Sequence, residues 1–419
     1  MSKEKAVLIL AAGKGTRMKS SLPKVLHKVC GESMLGIIID TVKKAGFKNI
    51  GVVAGYKREV IEEALPQSVE ILHQNSLKGT AHALLQAEKF WRKFENILVL
   101  YGDHPLIKYS TLRRIWSVHT KERADLTLLT TYLDDPKDYG RVIRDDSSKV
   151  CAIIEKKDLT PPQLKLKETN PGVMCFKTRA LKRFLNRIRL NKRKKEYYLT
   201  DIVFLLYRAG SRIKDIGSSF PEEEGLGVNS LEDLVSANEL MRKNIVREWI
   251  SKGVYIPLPQ FVYIELGVSI GKGTRILPFT VIERGVKIGR NCLVGPFSHL
   301  REGTILKHKV EVGNFAELKN TQVRDSAKIR HFSYLGDAWL GREVNIGAGT
   351  VTANFDGTKK HRTVIKDKAF IGSDTIIVAP VVIGRQARTG AGSVILRNRD
   401  IKKGETVVGV PAKPLKKHE

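Results

Sequence analysis

The first half of the chain alternates short apolar runs with stretches of helical spacing. The apolar runs predict strands at Val7–Leu10, Ile50–Ala54, Val69–Leu72, Ile97–Tyr101, Leu126–Thr131, Val150–Glu155 and Val173–Phe176. Helical spacing between them predicts helices at Met34–Ala45, Ala81–Phe90 and Leu199–Ala209. This alternation is typical of an α/β fold with a mostly parallel sheet covered by helices on both faces. Ligands of such sheets bind beyond the carboxyl ends of the strands, so the loops there are the places to search for function.

A single long helix is predicted after this half. Ser230 and Asp233 form a capping box, in which each side chain can bond the backbone N–H of the other. Gly253 can end the helix, and Pro257 cannot continue it. Apolar residues follow the cap at helical spacing: Leu231, Leu234, Val235, Met241, Ile245 and Trp249.

The last part of the chain repeats every six residues. From Ile270 onward an aliphatic residue recurs without a miss: Ile270, Ile276, Ile282, Ile288, Val294, Leu300, Leu306, Val312 and Leu318. Four places after each comes a mostly small residue: Thr274, Thr280, Val286, Cys292, Ser298, Thr304, Val310, Ala316 and Gln322. The frame slips near Arg324–Trp339 and resumes at Ile371. This period predicts a triangular β-helix of stacked coils, with Thr352–Thr363 projecting as a loop.

Composition narrows the class of protein. With 419 residues, 42% hydrophobic, the chain is long enough for two or three domains, and no stretch approaches the ~20 apolar residues of a membrane span. Its four cysteines are far apart, which predicts reduced thiols in a cytoplasmic protein. The net charge of +29 suggests anionic partners. The densest basic run, Arg187–Lys195, lacks interleaved aromatics, so we expect a basic surface and no nucleic-acid partner.

A glycine-rich motif follows the first predicted strand. It reads Leu10-Ala-Ala-Gly-Lys-Gly-Thr-Arg-Met18 and is followed by Pro23-Lys24. The glycines allow backbone N–H groups to approach an anion. Arg17 and Lys24 place two cations beside the same phosphates, where charge builds up as phosphorus is attacked, and both are candidate catalytic residues.

This motif resembles that of the nucleoside-triphosphate-dependent sugar-1-phosphate nucleotidyltransferases. The whole chain is similar to the bifunctional UDP-N-acetylglucosamine pyrophosphorylase / glucosamine-1-phosphate N-acetyltransferases. The resemblance implies a Rossmann-like nucleotidyltransferase domain at 1–228, a linker helix at 229–253 and a left-handed parallel β-helix acyltransferase domain of hexapeptide repeats at 254–419. It implies acetyl-CoA-dependent N-acetylation of glucosamine-1-phosphate, then uridylyl transfer from UTP with release of pyrophosphate. It also implies a homotrimer.

The resemblance assigns roles in the N-terminal half by position. Mg²⁺ would be held by Asp103 and Asn229, which suits an ion that prefers a few oxygen ligands from protein. The nucleotide would contact Leu10, Ala11, Ala12, Gly13, Lys24, Gln74, Gly79, Thr80, Tyr101, Gly102 and Asp103. The sugar would contact Gly140, Glu155, Asn170 and Asn229. Pro171 replaces the small polar residue usual after that Asn.

A second site is predicted where the hexads slip. His331 lies there, with Tyr334 three residues on and Asn354 in the loop that follows. The resemblance makes His331 the general base, which suits a side chain that titrates near neutrality, and Glu317 the group that orients it. Glucosamine-1-phosphate would contact Arg301, Lys319, Tyr334, Asn345 and Asn354, and acetyl-CoA would contact Ala348, Ser373 and Ala391. Gly409 stands where an Arg commonly binds the CoA phosphates.

Two other interpretations stay open at this point. In one, the nucleotidyltransferase is retained and the β-helix serves mainly as a trimerisation module. In the other, the chain is a non-catalytic regulatory or RNA-associated protein, an idea motivated only by its charge. The assembly-module interpretation is opposed by His331, Glu317, Asn354 and Lys319. The non-catalytic interpretation is opposed by Arg17, Lys24, Asp103 and Asn229.

Overall fold

The computed structural model describes residues 2–193, 195–217 and 222–415, so Lys194 of the basic run and the last four residues of the predicted β-helix domain lie outside it. The chain divides into two compact units, Met1–Asn238 and Glu239–Glu419. Among the described residues, none of the helices has the length and apolar character that crossing a bilayer requires. All four cysteines are free thiols, as predicted.

The N-terminal unit is built on a seven-stranded sheet. Six of its strands are parallel, and Met174–Lys177 runs antiparallel to both neighbours, which confirms the mostly parallel sheet. Ile213–Ile216 is an edge strand that the apolar pattern missed. The strand order is Ile213–Ile216, Leu126–Leu129, Met174–Lys177, Asn96–Tyr101, Ala6–Ala11, Asn49–Ala54 and Glu70–His73.

Both faces of this sheet are buried. Alternate residues of Ala6–Ala11 point to opposite sides, so Leu8 enters one hydrophobic cluster and Ile9 the other. The cluster around Leu8 is covered by Thr80–Gln86, Thr178–Phe184 and Asp201–Arg208, and that around Ile9 by Met34–Lys44 and Tyr109–Lys121. The remaining α-helices among the described residues of this unit's sheet region are Arg58–Glu63, Glu88–Trp91 and Pro161–Leu164.

A separate four-stranded antiparallel sheet corrects one prediction. Val150–Glu155 was assigned to the layered sheet, but Val150–Ile154 pairs instead with Arg141–Arg144. The intervening turn causes this, because the Asp145 carboxylate accepts hydrogen bonds from the N–H groups of Ser147 and Lys149 and folds the chain back. The complete order is Val150–Ile154, Arg141–Arg144, Glu168–Thr169 and Thr131–Tyr132.

The predicted linker helix is present as Leu231–Ser251. Its capping box forms as expected: the Asp233 N–H donates to Ser230 Oγ at 3.2 Å, and the Ser230 N–H donates to Asp233 Oδ2 at 3.0 Å. The division between the two compact units falls inside this helix. The division of the chain into domains at 1–228, 229–253 and 254–419 stays a prediction.

The C-terminal unit is a parallel β-helix with three faces. Strands of one face pair 18 residues apart, as in Ile282 with Leu300, because each coil contains three hexads. In chain order the first face contains Val262–Ile264, Thr280–Ile282, His299–Leu300, Glu317–Lys319, Tyr334–Gly336, Val351–Ala353, Ile376–Val378 and Val394–Ile395. The second contains Ser269–Ile270, Lys287–Ile288, Ile305–Leu306, Gln322–Val323, Ala338–Leu340, Thr363–Ile365 and Val381–Ile383. The third contains Arg275–Ile276, Leu293–Val294, Glu311–Asn314, Lys328–His331, Asn345–Ile346, Phe370–Ile371, Arg388–Thr389, Thr406–Val408 and Lys413–Pro414.

The apparent slip of the hexads consists of two one-residue deletions. Pairing shortens to 17 residues, with Leu306 opposite Val323 and Val323 opposite Leu340. The inward column therefore continues through the irregular region without a gap, and its members are fully buried. Gln322, predicted as a small corner residue, is exposed, and the buried Thr321 takes that place because the deletion moves the corner by one position.

Leu318→Ala should destabilise the β-helix by about 2–5 kcal/mol, because it empties space in a fully buried column of aliphatic side chains. Urea unfolding followed by circular dichroism would measure the loss. Lys328→Ala, on the exposed side of a neighbouring coil, is the control. Equal midpoints for the two variants would contradict the assignment of Leu318 to the core.

Candidate active sites

A cavity of about 540 Å³ opens where the parallel strands of the N-terminal sheet end. The carboxyl ends of Ala6–Ala11 and Asn96–Tyr101 meet there, and the Gly102 N–H donates to the Leu10 carbonyl at 2.9 Å. Every predicted nucleotide-binding residue except Gly102 lines the cavity. The lining is Leu10, Ala11, Ala12, Gly13, Lys14, Lys24, Val25, Gln74, Leu77, Gly79, Thr80, Ala83, Tyr101, Asp103 and Glu196.

Two glycines shape this cavity through positive φ angles. Gly15 has φ of 61°, and a Cβ there would lie 2.6 Å from the Lys24 Cβ. Gly79 has φ of 96°, and a Cβ there would lie 2.5 Å from the Tyr197 carbonyl oxygen. Since only glycine fits both positions, the motif brings Lys24 against the loop, and Gly79 allows Thr80 to begin a helix at the cavity wall.

Three predicted residues meet at one point beside the cavity. The Lys24 ammonium donates to Asp103 Oδ2 and, at 3.1 Å, to Asn229 Oδ1. Burial by itself would raise the pKa of Asp103, but the charges of Lys24 and His104 hold it below its ordinary value. The carboxylate is therefore ionised at neutral pH. Two oxygens of the kind that Mg²⁺ prefers already converge on a single cation, so the residues present fit a magnesium site.

Arg17 lies at a neighbouring position and does not contact Asp103. Its guanidinium binds Asp138 at 2.5 Å, and Asp138 also binds Lys156 at 2.8 Å. Arg17 and Asn229 line a second cavity of about 80 Å³. Because Asn229 also bonds Lys24 of the larger cavity, the two pockets share a wall.

The predicted sugar residues Gly140, Glu155 and Asn170 lie close to one another. The Asn170 N–H donates to the Gly140 carbonyl at 3.2 Å, and Glu155 Oε1 accepts from the Thr200 hydroxyl at 2.9 Å. A Cβ on Gly140 would come 3.6 Å from the same Glu155 oxygen. Burial raises the pKa of Glu155 above its ordinary value. The segment after Asn170 packs on the Tyr101 ring, which connects this group to the nucleotide cavity.

Sequence reasoning missed several residues of this region, among them Lys14, Glu196, Asp138 and His104. Lys14 and Glu196 line the main cavity, and Asp138 holds Arg17. Lys14 could have been found, because it lies inside the glycine-rich motif. His104 hydrogen-bonds Asp103, and its position after that residue was the available signal. Glu196 carried no signal, since only the fold brings it to the cavity.

On the β-helix, the predicted phosphate-binding cations lie on the first face. The Arg301 N–H donates to the Leu318 carbonyl at 2.8 Å, so Arg301 lies one coil from Lys319. Arg301 Nη1 also donates to Glu317 Oε1 at 2.8 Å, and Glu317 is opposite Tyr334 in the strand register. Glu317 thus contacts Arg301, and none of the described contacts joins it to His331.

The loop predicted at Thr352–Thr363 is present between two strands and is held by Asp356. The Asp356 carboxylate accepts from the Lys359 N–H at 2.7 Å, from His361 Nε2 at 2.6 Å and from Arg397 Nη2 at 2.9 Å. These hydrogen bonds keep the pKa of Asp356 well below its ordinary value. At the start of the loop, Asn354 donates to the Asp337 carboxylate.

The other predicted residues of this unit cluster where the chain turns from the third face to the first, here called the third-to-first corner. Coils stack directly there: the Asp374 N–H donates to the Ala348 carbonyl at 2.6 Å, and the Gly392 N–H donates to the Ser373 carbonyl at 2.8 Å. Ala391 precedes Gly392, and Asn345 lies on the third-face strand just before the corner.

His331 enters the same corner one coil earlier. Its side chain is exposed and has no hydrogen-bond or ion-pair partner among the described residues. A ladder of exposed phenylalanines runs along this corner, with ring centroids 5.0, 4.8 and 5.2 Å apart from Phe261 through Phe279 and Phe297 to Phe315. Contiguous exposed apolar side chains of this kind are typical of an interaction or ligand-binding surface.

Comparison with known proteins shows the family to which the chain belongs. The family described as Nucleotidyl transferase matches residues 6–220, and that described as Bacterial transferase hexapeptide (six repeats) matches residues 267–302. The protein named Bifunctional protein GlmU from Thermosipho africanus is 42% identical, with 93% of this chain and 91% of that protein covered. The chain belongs to the GlmU family. Other GlmU proteins, from Alkaliphilus metalliredigens and Thermosipho melanesiensis, are 37% and 41% identical and cover 96% and 93% of this chain.

Membership in the GlmU family decides between the interpretations left open by the sequence. The match runs through both units, and each is a transferase. The chain is therefore a bifunctional enzyme, which excludes the non-catalytic interpretation and supports a catalytic β-helix over a module for assembly alone.

Asp201 follows Thr200, the hydrogen-bond partner of Glu155, and its carboxyl group predicts how stability depends on pH. Burial, with Asp158 nearby, raises the pKa of Asp201 to about 6, so its ionised form opposes folding. This cost is absent below pH ~4, grows as the pH rises through about 6 and is constant above pH ~7. Asp201→Asn should therefore leave the free energy of unfolding unchanged near pH 4 and raise it by about 1–3 kcal/mol at pH 8.

Urea unfolding of wild type and variant across this pH range would measure the difference. Asp146→Asn, at an exposed position, is the matched control. A variant that is stabilised equally at pH 4 and pH 8 would show that the carboxyl is not titrating in this window.

Proposed function

We propose that this chain makes UDP-N-acetylglucosamine in two steps, one in each unit. The β-helix transfers acetyl from acetyl-CoA to glucosamine-1-phosphate, and the N-terminal unit joins the product to UTP with release of pyrophosphate. The observation that supports this best is the meeting of Lys24, Asp103 and Asn229 beside a cavity at the strand ends. We place the enzyme in the cytoplasm, where its four thiols stay reduced.

In the uridylyl transfer, the sugar phosphate oxygen attacks the α-phosphorus of UTP, and the bond to the β-phosphate oxygen breaks. Asp103 and Asn229 would hold Mg²⁺, which supplies charge neutralisation at the phosphates when bound. Lys24 supplies a further positive charge from within the cavity, and Arg17 supplies one from the adjoining pocket. Tyr101 and Thr80 line the cavity, and the Tyr101 ring packs against Gly172, two residues after the proposed sugar residue Asn170. Gly140 and Glu155 complete the proposed sugar site. No protein base is needed, because the attacking phosphate is already ionised.

In the acetyl transfer, His331 takes a proton from the amine of glucosamine-1-phosphate. The amine nitrogen attacks the thioester carbonyl, and the C–S bond breaks to release CoA. Arg301 and Lys319 bind the sugar phosphate from adjacent coils, and Glu317 is proposed to orient the histidine once substrate displaces it from Arg301. Tyr334, Asn345 and Asn354 complete the sugar site. Ala348, Ser373 and Ala391 bind acetyl-CoA along the third-to-first corner, with Ser373 at the oxyanion.

This second site is proposed to be completed by a homotrimer. Within the described part of a single chain His331 is exposed and has no partner, and the phenylalanine ladder beside it is uncovered. A heterologous contact that closes into a threefold ring would cover the ladder and bring another chain to the histidine. Because Gly409 stands where the family commonly has an Arg that binds the CoA phosphates, this chain would bind acetyl-CoA through Ala348, Ser373 and Ala391 at the third-to-first corner.

Asp103→Asn should reduce UTP-dependent pyrophosphate release by at least 100-fold, because it removes the charge from the proposed metal ligand and from the partner of Lys24. Acetyl-CoA-dependent thiol release, measured on the same preparation, should stay within twofold of wild type. Parallel loss of both activities would contradict two independent sites.

His331→Ala should reduce thiol release from acetyl-CoA by about 100-fold or more, since the amine then has no general base. Pyrophosphate release with N-acetylglucosamine-1-phosphate should be unchanged. Size-exclusion chromatography with light scattering would show whether the assembly is retained. Full acetyl transfer by an intact assembly of this variant would favour a β-helix whose chemistry lies elsewhere or which serves assembly alone.

A further inference from the structure

His104 is a buried histidine next to the proposed metal ligand, and neither reaction step described above uses it. Its side chain is 7% exposed and lies between the rings of Tyr101 and Tyr139, at centroid distances of 6.0 and 6.5 Å. His104 Nδ1 lies 2.8 Å from Asp103 Oδ1. Nε2 is buried without a partner among the described residues. The imidazole therefore makes one polar contact, and that contact is with Asp103.

This contact fixes the orientation of the carboxylate. Lys24 binds Oδ2 of Asp103, and His104 binds Oδ1, so each oxygen has its own donor. An ionised carboxylate accepts only, so Nδ1 of His104 must carry a proton to make this hydrogen bond. Because two donors approach from different directions, rotation of the carboxylate would break at least one hydrogen bond. Groups that hold a metal ligand in this way preorganise it for the ion.

His104 also packs under the segment that carries the second ligand. A Cβ on Gly227 would lie 2.7 Å from His104 Cε1 and 2.8 Å from Nε2, so the ring fits only because this residue is glycine. The next residue, Val228, donates its N–H to the Asp103 carbonyl at 2.8 Å. Asn229 follows directly. The imidazole thus contacts one ligand through a hydrogen bond and supports the backbone that presents the other.

We propose that His104 is a positioning residue that holds Asp103 and Asn229 in the geometry that binds the divalent cation of the uridylyl transfer. The proposal rests on the proposed function, which makes those two residues the metal ligands. Removal of the Nδ1 donor would leave Oδ1 of Asp103 without its donor while Lys24 still binds Oδ2, so the carboxylate would be less firmly oriented. The affinity for the cation would then fall while the nucleotide cavity stays intact.

The test uses Mn²⁺ as the probe and the full-length chain saturated with UDP-N-acetylglucosamine. Free Mn²⁺ is measured by electron paramagnetic resonance as the metal is titrated. His104→Asn places an amide nitrogen near the position of Nδ1, whereas His104→Gln places it near Nε2, and His104→Leu removes the donor at similar volume. We expect the Mn²⁺ dissociation constant to rise about 10-fold or more for the Leu and Gln variants and to stay within threefold for Asn.

Two further measurements distinguish a loss of metal-ligand positioning from a loss of the folded nucleotide cavity. Binding of UDP-N-acetylglucosamine in EDTA reports the intact nucleotide cavity and should not change. In steady-state assays, the Mg²⁺ concentration that gives half-maximal pyrophosphate release should rise for the Leu and Gln variants, with the rate largely restored at saturating metal. If His104→Leu does not bind nucleotide in EDTA, the Mn²⁺ dissociation constants of His104→Asn and His104→Gln are compared instead, and their difference tests the proposal.

The proposal is overturned if His104→Leu binds Mn²⁺ as wild type does, or if His104→Asn is impaired as strongly as His104→Gln. Asp103→Asn distinguishes this failure from failure of the proposed function. Loss of Mn²⁺ binding in Asp103→Asn together with wild-type affinity in His104→Leu would reject only the role of His104. Wild-type affinity in Asp103→Asn would reject Asp103 as a metal ligand.

Discussion

The N-terminal site depends on a single charge arrangement, in which the Lys24 ammonium binds both Asp103 and Asn229. Burying the Asp103 carboxylate is unfavourable unless a cation accompanies it, and Lys24 is that cation. The three residues come from distant parts of the chain, and the sheet brings them together because its parallel strands end at one edge. Other contacts of the site, including the loop around Gly15 and the packing under Asn229, keep this arrangement in place.

In the β-helix, the number of residues in each coil determines which side chains stack above one another at each corner. Irregularities occur between the first and second faces: the step from Leu318 to Val323, the step from Leu335 to Leu340, and the long loop after Thr352. Steps from the third face to the first remain six residues long, as from Val312 to Leu318. Ala348, Ser373 and Ala391 can therefore stack at one corner, because that corner never changes its length.

The two units solve a similar problem in different ways. Both are proposed to hold a sugar phosphate, and both bring cations to the proposed site. The sheet does so at strand ends, where backbone N–H groups and buried carboxylates can also take part. The β-helix does so on a strand face, where Arg301 and Lys319 lie one coil apart and the remaining partners come from corners and a loop. Lys24, Asp103 and Asn229 of the first site meet within one chain, whereas the second site leaves His331 exposed.

The sequence by itself determined the strand–helix alternation, the capped helix after Ser230 and the hexad column, because each depends on a local period that burial imposes. Through its resemblance to a known family, the sequence also pointed to most of the residues that line the strand-end cavity. It could not place Val150–Ile154 in a separate sheet or see that the slip near Arg324 was two deletions, because pairing partners are not local. Only the tertiary structure decided that Arg17 binds Asp138, that Glu317 binds Arg301 and that His104 supports Asp103. Those contacts depend on which surfaces the packing of distant segments brings within hydrogen-bond distance.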